Sequence, residues 1–345
     1  MRRVARWVML LAIGAGAALA ARWAVPRVPA IYIRSALSLI EERAYYRDRV
    51  DWDQARGEAL SLAEGSWSPR DTYPAIRHTL AALGDHHSFL SPPLSRSDIR
   101  AQVMRNSPPT ARDLGGRVGY VELPSLPGPS DYLKDGRSYA SVVHVEIARV
   151  EAAGSRCGWL VDLRRNEGGM GWPMLAGIGP VLGEGELGAW IFRGAVRATW
   201  SYLSGQARND GTAMTTVARP YRVQRPNVPV AVLIGPKTAS AGEFIAIAFK
   251  GRPSTQFYGQ PTAGVSTGNA GIRLADGASL FLTVALGADR TGHIYEGAVV
   301  PDTLIPFEFA EIGTEKDPVV GAAVEWLRTQ SVCEPAPDLG RGGEQ

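Results

Sequence analysis

The stretch VPVAVLIGPKTASAGEFIAIAFKG, Val228 to Gly251, sets two apolar runs on either side of a short turn. VPVAVLIG is short, β-branched and free of charge, the pattern of a strand buried on both faces. AGEFIAIAFKG reads as a buried helix. Between them stands one serine among alanines. Ser240 with Glu243 three residues on is S-x-x-E, a capping box in which the hydroxyl caps an orphan N–H and the glutamate reaches back. A serine at the C-terminal end of a strand and the start of a helix is also a usual place for a nucleophile. The helix N-terminus offers free amides and positive potential to a developing oxyanion. Ala239, Ala241 and Gly242 leave backbone and hydroxyl accessible. Choosing between cap and nucleophile requires a base, an oxyanion partner and a fold that joins them.

Outward from this stretch, strands and helices alternate. RVGYVELPS reads as a strand, YASVVHVEIARVEAAG as a helix and CGWLVDLR as a buried strand. GMGWPMLAGIGPVLG is a helix of small residues. STQFYG, ASLFLTVALGA and HIYEG are further strands, and DPVVGAAVEWLRTQ closes as a helix. This alternation predicts an α/β fold with a largely parallel sheet and crossover helices. From Pro29 to about Gly84 the pattern is instead helical and amphipathic, as in IYIRSALSLIEERAYY and TYPAIRHTLAALG. The expected organisation is an N-terminal helical region over about 27–110 and a core over about 111–330. The tail from 331 to 345 is expected to be disordered.

The 345 residues are 45% hydrophobic, enough for a sizeable core in one large domain or two. Net charge is +3 with no basic run beyond the N-terminus, which argues against nucleic acid as a partner. Residues 1–20 carry Arg2, Arg3 and Arg6, then an apolar stretch ending Ala18-Leu19-Ala20. This is the form of a secretory signal, short for a membrane span, so export with cleavage after Ala20 is expected. Retention as a membrane anchor is the alternative. Cleavage removes three positive charges and no negative ones, bringing the net charge from +3 to 0. Export would permit a disulfide between Cys157 and Cys333, although their sequence separation carries no information on distance.

A serine nucleophile needs a base and a group to orient it. His78 and His144 fall on helical patterns and read as structural, and His293, near Glu296, is held in reserve. His86 and His87 lie in LGDHHSF, a loop directly after a helix. Of four lysines, Lys250 is ten residues along the helix from Ser240, about 15 Å away at the usual rise. Lys237 precedes the serine and points elsewhere, and Lys134 and Lys316 lie in polar stretches. A lysine base is therefore disfavoured. VDLRRNEGGMG ends a buried strand in adjacent glycines, Gly168 and Gly169, which expose backbone amides or simply make an ordinary turn. The glycine-rich PTAGVSTGNAG lacks the G-K-[ST] ending of a phosphate loop. No histidine and cysteine spacing suggests a metal site.

Together these segments resemble the S41 serine peptidases, the tail-specific protease family. LGDHHSF is similar to its D-x-H-[ST] segment, GRVGYVELPS to its entry strand, VDLRRNEGG to D-L-R-x-N-x-G-G and the T-A-S-A stretch to its nucleophile segment. GQPTAG is similar to G-x-x-T-x-G and YEGAVVPD to E-x-x-G-V-x-P-D, so six segments follow in the family's order from Leu83 to Phe307. The resemblance implies a ClpP/crotonase-like α/β core behind the N-terminal helical region. It also implies Ser240 as nucleophile, His87 as base, Glu296 as the carboxylate orienting it, and the amides of Gly168 or Gly169 and of Ala241 as oxyanion donors. Val265 stands where the Ser–Lys branch carries its lysine, which places the chain with the tricorn-like Ser–His–Glu branch. Fewer than thirty residues separate Phe89 from Arg117, too few for an inserted PDZ domain. Ala298 and Val299 stand at the glycine and valine positions of the pattern, a departure beside Glu296.

The expectation is an exported serine peptidase acting on polypeptides through an acyl-enzyme, with no cofactor. The alternatives are a non-catalytic protein holding an apolar ligand in the same cleft, and an acyl-CoA enzyme, the latter disfavoured by export. On this reading Glu243 lies outside the triad, so Glu243→Gln is expected to keep the cap and most of the activity.

Overall fold

The structure, a computed structural model, describes residues 27–95, 97, 98, 101, 107–128 and 132–333. The expected N-terminal signal and the tail beyond Cys333 lie outside the described residues. In chain order, helices α1 (Arg27–Arg43), α2 (Trp52–Leu62) and α3 (Tyr73–Ala82) lead to strand β1 (Phe89–Ser91). Then come β2 (Thr110–Asp113), β3 (Val118–Glu122), α4 (Tyr132–Glu151) and β4 (Gly158–Asp162). Helix α5 (Gly171–Leu182) precedes β5 (Gly185–Phe192), β6 (Arg197–Leu203), β7 (Gln206–Asn209) and β8 (Thr212–Thr216). Strand β9 (Val230–Ile234) feeds helix α6 (Ala241–Phe249), followed by β10 (Thr255–Gly259) and β11 (Thr267–Arg273). The last elements are β12 (Ser279–Asp289), β13 (Ile294–Tyr295), β14 (Thr303–Leu304) and α7 (Pro318–Arg328).

The chain forms two compact units, one of residues up to Ser95 with Asn269–Val284, the other of Arg96–Gly268 with Ala285 onward. In the first, α1 repeats apolar residues three and four apart, and Tyr32, Ile33, Ala36, Leu37 and Ile40 are all buried. They join Ala59 of α2, Ile76 and Leu80 of α3, and Leu280 and Leu282 of β12 in one core. The Asp51 carboxylate caps α2 by accepting from the Gln54 N–H. β1 runs antiparallel to the start of β12, with Phe89 opposite Phe281 and their rings stacked at 4.7 Å. The returning segment is tied in by Asp276, whose carboxylate accepts from the hydroxyls of Tyr32 and Tyr73.

The second unit is built on the sheet β14-β10-β9-β4-β3-β2, parallel throughout except for β2. Its central strands β3, β4 and β9 are buried on both faces, as the sequence indicates. Val121, Val161, Val232 and Ile234 join the core formed with α4, α5 and α6. Tyr120, Leu160, Ala231 and Leu233 pack with Val319, Ala323 and Leu327 of α7. Asp317 caps α7, accepting from the Val319 and Val320 N–H groups, and Pro318 sits where no helical N–H is needed. β5 to β8 form an antiparallel meander that pairs with the end of β12. Cys157, beside β4, is disulfide-bonded to Cys333, beyond α7, across a sequence separation of 176 residues. Closing a loop of that size stabilises the fold by about 5 kcal/mol in the chain-entropy account.

Candidate active site

The turn from β9 to α6 enters the helix through a capping box at Ser240 and Glu243. Ser240 is held at φ 51°, ψ −110°, a conformation that costs a non-glycine residue about 1–3 kcal/mol. Neighbouring bonds hold it there. The Ser240 N–H donates to Glu243 Oε2 at 3.0 Å, its carbonyl accepts from the Phe244 N–H at 2.9 Å, and the Ala239 N–H donates to the Asn166 carbonyl at 2.9 Å. The buried Thr238 hydroxyl accepts from the Gly235 N–H and donates to the Leu163 carbonyl, fixing the turn to the end of β4.

Glu243 does more than the sequence expects. It is fully buried and accepts four hydrogen bonds, two on each oxygen. Oε1 takes the Thr262 hydroxyl and the Gly264 N–H at 2.5 and 2.8 Å. Oε2 takes the Val265 N–H at 2.9 Å besides that of Ser240. Burial raises its pKa, and the four donors oppose that shift. Glu243 therefore joins the nucleophile turn to the 262–265 loop, the segment similar to G-x-x-T-x-G. The loop is in turn laced to residues 297–299: the Val299 N–H donates to Thr262 Oγ1 at 2.7 Å and the Ser266 hydroxyl to the Gly297 carbonyl at 2.7 Å.

Of the glycine pair that follows β4, Gly168 lies against Ser240 and Gly169 against Leu126. A Cβ placed on Gly168 would come within 2.9 Å of Ser240 Cβ and 3.4 Å of the Ala241 nitrogen. One on Gly169 would come within 2.0 Å of the Leu126 carbonyl oxygen. Both residues have positive φ, 107° and 115°, so glycine is required on both counts. The structure separates the two candidate amides. The Gly168 N–H already donates to Asn166 Oδ1 at 3.0 Å. Those of Gly169 and Ala241 donate to no partner among the described residues. Asn166, wholly buried, also donates to the Leu123 carbonyl at 3.0 Å, so one side chain ties the glycine loop to the end of β3. Its role went unread in the sequence, although its place between strand end and glycine pair was the available signal.

His87 belongs to the first unit, in the loop between α3 and β1. Asp85 shapes that loop, accepting from the N–H groups of His87 at 3.0 Å and Ser88 at 2.6 Å and from the Ser88 hydroxyl at 2.8 Å. The His87 carbonyl accepts from Asn269 Nδ2 at 2.6 Å. His87 is buried while His86 is exposed. Burial depresses the His87 pKa to about 4, with the nearby Asp85 charge opposing, so the imidazole is neutral at pH 7.

The remaining candidates divide cleanly. Glu296 follows β13 in the second unit, exposed and without a hydrogen bond or ion pair among the described residues. His78 pairs with Glu58 on the surface, and His144 is buried between the Ala176 carbonyl and the Tyr221 N–H, a structural role. His293 is exposed and stacks edge-on with Tyr295. Lys237 lies 3.5 Å from Glu167 and over the Phe309 ring, and Lys250 donates to the Val300 carbonyl and lies 3.5 Å from Asp302. Arg164, in the D-L-R motif, is buried and bidentate to both Asp162 and Asp317, a scaffold for the site.

Comparison with known proteins agrees with this geometry. Over 307 residues the chain is 26% identical to the nisin-resistance protein of Lactococcus lactis subsp. lactis, spanning 89% of each. It is 26% identical over 241 residues to a carboxyl-terminal-processing protease of Synechocystis, covering 68% of this chain and 48% of that one. Its fold is shared with a lipoprotein from Streptococcus agalactiae at a TM-score of 0.72 and 23% identity, covering 87% of this chain and 96% of the other. The photosystem II D1 C-terminal processing protease follows at a TM-score of 0.51 and 15% identity, covering 84% and 98%. Residues 117–305 match the model of Peptidase family S41, which spans the turn of Ser240, its glycine pair and the loops bound to Glu243, and the chain belongs to that family.

Proposed function

We propose that the chain is an exported serine peptidase that hydrolyses peptide bonds of polypeptides through an acyl-enzyme. The observation that carries this reading is the strained Ser240 with Gly168 packed against it, followed by amides, those of Gly169 and Ala241, that donate to no partner among the described residues. In the proposed reaction the Ser240 hydroxyl attacks a peptide carbonyl and its proton passes to a base, the role that the D-x-H-[ST] motif alone gives to His87. The carbonyl oxygen, now negative, is held by the Gly169 and Ala241 N–H groups and the positive end of α6, where one such donor is worth about 10²–10³ in rate. His87 returns the proton to the leaving amine, and water then releases the acyl group by the same steps in reverse roles. Glu296 is assigned the orienting role by its motif alone, and Asp85 is a second carboxylate whose charge acts on His87.

Export is supported by the form of residues 1–20 and by the Cys157–Cys333 disulfide, a bond that persists in oxidising compartments. The near-full-length relative is named for nisin resistance, which makes nisin the first compound to try as a substrate. The test is labelling by a small fluorophosphonate, in which the attacking serine oxygen displaces fluoride from phosphorus. The expected result is one adduct, located on Ser240 by peptide mass spectrometry and absent after heat denaturation. No adduct at Ser240 in the folded chain would favour the non-catalytic binding reading instead.

A further inference from the structure

Four aromatic rings gather on the helix that Ser240 opens. Phe244, one turn along α6, is their centre: Trp200 meets it edge-on at 4.7 Å, Trp190 stacks on it at 5.3 Å and 17°, and Trp172 meets it edge-on at 5.3 Å. Phe244 and Trp200 are buried and account for the core of this cluster. Trp172 and Trp190 are not consumed by it. Both are half-buried, so each keeps part of an indole face outside the core. Neither is remote from the reacting atoms. Trp172 is three residues after Gly169, and Phe244 is four after Ser240. The segment carrying Gly169 touches α6 at this point: a Cβ on Gly171 would meet Phe244 Cδ1 at 2.7 Å and Ala241 Cβ at 3.5 Å. Gly268 lies against the Trp190 indole, where an added Cβ would come within 2.9 Å of it.

We propose that Trp172 and Trp190, backed by the buried Phe244, form the subsite for the side chain of the residue whose carbonyl Ser240 attacks, and that they select a large apolar or aromatic residue there. The inference rests on the peptidase reading. Trp172 follows Gly169 by three residues and Gly171 between them packs on Phe244 and Ala241, so the rings are carried by the same two segments as the proposed oxyanion amides. None of the rings carries a charge, so a carboxylate at this position would lose hydration without gaining a partner, whereas an apolar side chain gains by burial.

The experiment compares kcat/KM on a series of quenched-fluorescent peptides that differ only at the residue before the scissile bond: Phe, Leu, Ala and Asp. Active sites are counted by fluorophosphonate titration. The wild-type chain is expected to prefer Phe and Leu over Ala by about 10–200-fold, the range a hydrophobic pocket provides. In Trp190→Ala and Trp172→Ala the Phe-to-Ala ratio is expected to fall at least about tenfold, and Trp190→Phe to restore most of it. The ratio is read within each variant, so a change in absolute rate does not enter. A wild-type chain that labels at Ser240 and hydrolyses all four peptides equally overturns the subsite alone, as does an unaltered ratio in both alanine variants. A chain that neither labels nor hydrolyses overturns the peptidase reading and the subsite with it.

Discussion

His87 shows how one residue's surroundings set its chemistry. The D-x-H-[ST] register picks it over His86, and the structure gives the physical difference, one ring buried and the other exposed. A histidine left in water titrates near pH 6.5, whereas burial brings His87 to about 4. The proposed base therefore stays unprotonated well below neutrality, and the acid limb of kcat/KM is expected near pH 4. A limb at pH 6.5 would show that another group, or an exposed histidine, takes the proton. Stability follows the same linkage: the folded pKa lies below the unfolded one, so the unfolded chain binds more protons between about pH 4 and 6.5. The contribution of His87 is complete above pH 6.5 and is lost as pH falls to 4, about 3 kcal/mol in all. His87→Ala is expected to remove nearly all turnover and His86→Ala to leave a substantial part. Full loss only in His86→Ala would overturn the assignment. What the sequence could not show was the reach of Asn166, whose side chain joins the neighbouring Gly168 N–H to the Leu123 carbonyl 43 positions away.

At the scale of elements, α6 and its entry turn were legible as a strand, a serine and a buried helix. Their energetics were not. From the sequence, Glu243→Gln preserves a cap and spares activity; the structure reverses that expectation. Every position around the Glu243 carboxylate is taken by a donor, so an amide NH₂ must face two of them. Unsatisfied buried donors cost about 1–3 kcal/mol each, and two of the four bonds set Ser240 and Val265 directly. Glu243→Gln is expected to lower the melting temperature by several degrees and to reduce hydrolysis at least tenfold. Unchanged values in both measurements would mean that Glu243 is only a helix cap. The meander β5 to β8 escaped sequence reading for another reason. Its strands interrupt their own period with register shifts at Glu186/Gly188 and Ala207/Arg208, and β8 is largely exposed, so neither alternation nor a continuous apolar run survives.

For the whole molecule, the parallel sheet was legible because its strands are short unbroken apolar runs separated by helices. The return of residues 269–284 to the first unit was not, since the contact that ties it, Tyr32 to Asp276, spans 244 positions. The Cys157–Cys333 bond was open for the same reason: spacing of 176 residues says nothing of a Cα separation of 5.0 Å. The central claim, that Ser240 is a nucleophile and not merely a helix cap, is tested most directly on Ser240→Ala. The measurement is peptide hydrolysis alongside thermal unfolding of the same preparation. If Ser240 is the nucleophile, the variant folds with its stability reduced by no more than about 1 kcal/mol, the usual cost of a lost cap, and hydrolysis falls roughly 10⁴-fold or more. A well-folded Ser240→Ala that hydrolyses at the wild-type rate would contradict the account.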